Sequence, residues 1–148
     1  MQLYFIRHAQ STNNLLWDQT NASTGRSMDP DLTDKGWRQA RRLAKYLRDN
    51  QVAYPTDIRD SHNAYGFGLT HLYTSLMVRS VLTATPLAEA IGKPLQAWVD
   101  IHETGGIFLD DEATGLPQGL PGRTRSYLTE RFSHLVLPDD LADAHELR

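Results

Sequence analysis

The chain has 148 residues, enough for one domain with a single core, and its 40% hydrophobic and 22% charged residues exclude wholesale disorder. There is no cysteine, which rules out disulfides and thiolate metal sites, and a net charge of −3 argues against a nucleic-acid binder with its usual basic face. No apolar run is long enough to span a membrane and the N-terminal one is too short for a signal-peptide core, so a cytoplasmic protein without membrane contact is expected.

Gln2 to Ile6 reads as the first strand, a short apolar run stopping at the basic pair Arg7-His8. The small and hydrogen-bonding residues 9–14 suit a phosphate-holding loop that enters a short helix around Thr12 to Trp17. Residues 18–32 read as a loop. Thr33 is a plausible N-cap for a helix from Asp34 to about Asp49, whose apolar stripe is Trp37, Ala40, Leu43, Ala44 and Leu47. The basic residues Arg38, Arg41, Arg42, Lys45 and Arg48 on that helix read as a solvated face.

Residues 50–69 form a long connection without a convincing period. A second strand is expected at His71 to Thr74, then a helix from Leu76 to Ile91, stopped by Gly92 and kinked or broken at Pro86. Leu95 to Val99 reads as a third strand, ending near His102-Glu103. Residues 105–122 read as a loop, and Thr124 caps a last helix to about Phe132; residues 134–148 show no clear element. Alternating strands and helices predict an α/β domain, 1–148, with a mainly parallel sheet and right-handed crossovers.

Parallel strands bring their carboxyl ends to one edge, where open α/β sheets bind ligands. Three groups fall there: Arg7-His8 after the first strand, Arg79 in the helix after the second, and Glu103 after the third. Guanidiniums fork onto phosphate oxygens, an imidazole can attack phosphorus, and a carboxyl can protonate a departing oxygen. Each alone has an ordinary alternative: a surface turn for the Arg-His pair, a surface helical arginine for Arg79, a loop carboxylate for Glu103.

Arg7-His8-Ala9-Gln10-Ser11 through Asn14 resembles the Arg-His-Gly signature of the histidine phosphatase superfamily, which includes the cofactor-dependent phosphoglycerate mutases. Asp29-Pro30-Asp31-Leu32-Thr33-Asp34-Lys35-Gly36 with Gln39-Ala40 is similar to a second superfamily segment. Ser75 and Arg79 with Thr83-Ala84 are similar to a third, and Glu103 with Gly106 to the Glu-containing stretch that follows. The resemblance implies a three-layer α/β/α, phosphoglycerate mutase-like fold. It implies that His8 is the nucleophile of a transient phosphohistidine, that Arg7, Arg79 and Asn14 hold the phosphoryl oxygens, and that Glu103 is the general acid. It implies a small phosphorylated substrate and neither a metal nor another cofactor.

Two departures qualify this. Ala9 stands where glycine is usual, and no strand-His-Gly unit follows Leu137, since His134 and His145 lack that setting. In the superfamily the strand leading to the second histidine lies between the first two strands. The expectation is therefore an incomplete C-terminal part, with the first two strands either pairing directly or leaving apolar faces exposed. A phosphomonoesterase is the leading expectation. A mutase-type phosphoryl transferase and a non-catalytic phosphate-binding relative are the alternatives, with Asn13, where mutases carry tryptophan, favouring the phosphatase.

Overall fold

The computed structural model describes residues 2–52, 62, 64–102, 106–111 and 113–141. In chain order the elements are α1 (Thr12–Thr20), α2 (Asp34–Asp49), β1 (Leu72–Thr74), α3 (Val78–Ile91), β2 (Leu95–Ala97), β3 (Phe108–Asp110), β4 (Pro117–Gly119), α4 (Arg125–Arg131) and β5 (Leu135–Val136). The architecture is mixed α/β. Its sheet is parallel, in the order β1-β2-β5, with Leu72 opposite Leu95 and Leu95 opposite Leu135.

α2 forms where expected because its signals are local. Thr33 accepts the Gly36 N–H at 3.0 Å, Asp34 sits in the first turn, and Ala40, Ala44 and Leu47 are buried. α2 packs on α3, and α3 packs on β1 and β2. The main core gathers Leu32, Val78, Val81, Leu95, Leu128 and Leu135. The six basic residues of α2, Lys35 among them, are all exposed, as a solvated face requires.

Several expectations need correction. Gln2 to Ile6 forms no strand, and Leu3, Phe5 and Ile6 are 64%, 88% and 47% exposed. A strand exists only with a ladder partner, and the parallel sheet is built from three other segments. α1 extends to Thr20, because Asn21 in the left-handed region closes it through a hydrogen bond to the Trp17 carbonyl. α3 begins at Val78 rather than Leu76 and runs unbroken through Pro86; one missing N–H is tolerated where Leu82, Leu87 and Ala88 are buried around it. The third strand stops at Ala97.

The loop expected at 105–122 holds an antiparallel hairpin of β3 and β4. Its turn is shaped by Asp111, whose Oδ1 accepts the Ala113 and Thr114 N–H groups, and by Gly115 at a φ of 67°. β5 was also not expected. It joins the sheet after α4, and Arg125 donates to the carbonyls of Pro138 and Leu141 in the segment that follows.

Candidate active site

His8 lies on the short irregular segment that enters α1, and this segment is fastened from three directions. From α3, the Thr83 hydroxyl accepts the Ala9 N–H at 3.0 Å and donates to the Arg79 carbonyl at 2.7 Å. From α2, Gln39 Oε1 accepts the Gln10 N–H at 2.9 Å, and the Thr33 N–H donates to the Gln10 carbonyl at 3.0 Å. Gly36 packs so closely that a Cβ there would stand 2.1 Å from the Gln10 carbonyl oxygen. Within α1, buried Ser11 caps the helix: Asn14 Oδ1 accepts from the Ser11 N–H and hydroxyl at 3.0 Å each, and Ser11 Oγ accepts the Asn14 N–H.

Thr33, Gly36 and Gln39 recur every three residues, so the first turns of α2 present all three to one partner, Gln10. The sequence marks Thr33 as a cap and places Thr33, Gly36, Gln39 and Thr83 in segments that resemble the superfamily, without indicating what any of them touches. Their common spacing was the available signal; their common target, about thirty residues upstream, was not.

The His8 imidazole is half-buried, with Nδ1 2.7 Å from the Ala9 carbonyl oxygen. A carbonyl only accepts, so Nδ1 carries a proton, and in the neutral ring the lone pair is then on Nε2. This is the tautomer an attacking imidazole needs. Arg7, His8 and Asn14 line one cavity of about 480 Å³, together with Gln10, Asp18 and Thr83.

Arg79 is not among the residues lining that cavity. It is buried in the first turn of α3, one turn before Thr83. Met77, at the N-cap of α3, supplies no side-chain cap; Asp29 supplies one from 49 residues away, its Oδ1 accepting the Val78 N–H at 2.9 Å. Burial pushes the Asp29 carboxyl above its ordinary value of 3.8, against the opposing pull of the Val78 N–H and of Arg123 and Arg79. Arg123 Nε stands 3.4 Å from Asp29 Oδ2, an ion pair without hydrogen-bond geometry, and its guanidinium covers the Tyr127 ring at 4.6 Å.

Glu103 and His145 lie outside the described residues. His134 is exposed, and its Nε2 stands 2.9 Å from the Thr85 hydroxyl. Asn13 exchanges two hydrogen bonds with the backbone of Ser27, fixing the 18–32 loop to α1. Among the described residues no group of three or more His, Asp or Glu side chains is placed to hold a metal ion, and no helix is long and apolar enough to cross a membrane.

Residues 3–57 match the family model of the histidine phosphatase superfamily (branch 1). That stretch is similar to the histidine phosphatase superfamily. It contains the Arg7-His8 pair, the capped helix α1 and the α2 contacts that clamp Gln10. The superfamily segment and the parallel sheet behind it agree with a phosphoglycerate mutase-like fold. The match supports phosphatase or phosphoryl-transfer chemistry in general.

Proposed function

We propose that the chain carries a phosphomonoesterase site working through a phosphohistidine on His8, with a small phosphorylated molecule as substrate. The observation that carries this reading is the cavity shared by Arg7, His8 and Asn14, with Nδ1 of His8 committed to the Ala9 carbonyl. His8 Nε2 attacks phosphorus, the bond to the leaving oxygen breaks, and that oxygen takes a proton. Water then attacks the phosphorus–nitrogen bond, releasing inorganic phosphate and restoring the imidazole. Arg7 neutralises the phosphoryl oxygens with its guanidinium fork, and the Asn14 amide, whose Oδ1 is held by Ser11, offers its N–H groups. Arg79, buried at the start of α3 and outside the lining of that cavity, is the second cation that the superfamily resemblance implies, and Glu103 the source of the leaving group's proton.

Rapid quenching with a ³²P-labelled aryl phosphate tests the reading. An acid-labile, alkali-stable label on the protein is expected, absent in His8→Ala and at least tenfold reduced in Arg7→Ala. A labelled His8→Ala protein, or hydrolysis by the unaltered protein without any adduct, overturns it.

A further inference from the structure

An anion site is an unfavourable place for a carboxylate, yet Asp18 lines the same cavity as Arg7 and His8. It belongs to the second half of α1, and among the described residues no cation pairs with it. Its orientation is nonetheless set. The Thr33 hydroxyl already accepts the Gly36 N–H, so its own hydrogen goes to Gln10 Oε1 at 2.8 Å. That fixes the Gln10 amide with its nitrogen turned the other way, where Nε2 donates to Asp18 Oδ2 at 3.2 Å. The chain Thr33–Gln10–Asp18 thus runs from the clamp of the catalytic loop to the cavity rim. On that rim Gln39 has spent its Oε1 on the Gln10 N–H, and Ala40 and Leu43 are apolar.

A carboxylate held on the rim of a phosphate cavity, with no cation of the described residues paired with it, repels the dianion unless the bound molecule presents donors to it. We propose that Asp18 is a specificity-determining residue: its carboxylate accepts hydrogen bonds from hydroxyl or ammonium groups on the organic part of a phosphomonoester held at Arg7 and His8. The inference rests on the phosphomonoesterase reading and adds to it a substrate class, phosphate esters carrying a donor a few bonds from phosphorus.

The test compares glycerol 3-phosphate, ethanolamine phosphate and n-propyl phosphate on the full chain and on two variants. The unaltered protein should prefer at least one donor-bearing ester to propyl phosphate by tenfold or more in kcat/KM. Asp18→Ala should bring the three within about twofold of one another, mainly through KM. Asp18→Asn, which keeps an acceptor and loses the charge, should abolish a preference for the ammonium ester while retaining part of one for the hydroxyl ester. The two sources of donor are told apart in that way. No preference in the unaltered protein overturns the inference, as does an equal loss on all three esters in Asp18→Ala, which assigns the carboxyl to proton transfer instead. Absence of a His8 adduct with all three esters brings down the phosphomonoesterase reading and this inference with it, whereas an adduct without preference brings down the inference alone.

Discussion

Residues 3–6 and residues 8–14 are neighbours in the chain and opposites in the structure. The first stretch is the more apolar and is mostly exposed, with Phe5 at 88%. The second is polar and tightly held, with Ser11 at 1% exposure. The difference lies in where each finds its hydrogen-bond partners. Gln10 and Ala9 meet side chains from α2 and α3 placed for them by helix spacing. Residues 3–6 belong to none of the strands of the parallel sheet, and hydrophobicity alone does not place them in it.

Substitutions at both stretches sharpen or break that contrast. Gly36→Ala forces a methyl group onto the Gln10 carbonyl and should cost about 2–3 kcal/mol by urea denaturation, with loss of His8 phosphorylation. An alanine variant of unchanged stability would mean the loop is not clamped. Thr83→Val keeps the shape but removes both hydroxyl hydrogen bonds at a buried position, and should cost about 1–2 kcal/mol in the same measurement. Ser11→Ala removes the cap of α1 and should cost about 1 kcal/mol.

Asp29 gives an effect read as a slope. Its folded carboxyl is raised above 3.8, so the stability it contributes is complete below that value and is lost as pH rises through the folded value. The stability of the unaltered protein relative to Asp29→Asn should therefore fall with increasing pH above about 4 when titrated by denaturant. A difference that rises with pH would place the carboxylate in a favourable ionic setting instead. Smallest of all, Phe5→Ser should change stability by less than about 0.5 kcal/mol, because its ring is already in solvent. A loss of 2 kcal/mol or more would show that the run is buried and erase the contrast.

The legible parts of the sequence were those whose causes are local. Thr33, Asp34 and the stripe through Leu47 delimit α2 without reference to anything distant. The same holds for Thr124 at the start of α4 and Gly92, in the left-handed region, at the end of α3. α3 begins two residues later than its sequence suggests, because its cap is Asp29, far away in sequence. Leu135–Val136 is too short to show a period, and the β3–β4 hairpin depends on the turn built by Asp111 rather than on its sparse apolar residues. At the site, Arg7, His8 and Asn14 were picked out by type and position and do share a cavity. Asp18 stands alone after Leu15-Leu16-Trp17, and a lone aspartate there carries no pattern of its own.

The clamp on the Gln10 backbone is made of neutral groups, Gln39 Oε1 accepting the N–H and the Thr33 N–H donating to the carbonyl. Mobile ions therefore have little to screen there, since the Debye length of about 8 Å at physiological ionic strength acts on separated charges, not on amide contacts. Raising salt should leave the geometry of the His8 loop unaltered while it weakens the long-range pull of Arg7 on an incoming anion. In that sense the scaffold and the lure are electrically independent, and the site can lose its attraction for phosphate without losing its form.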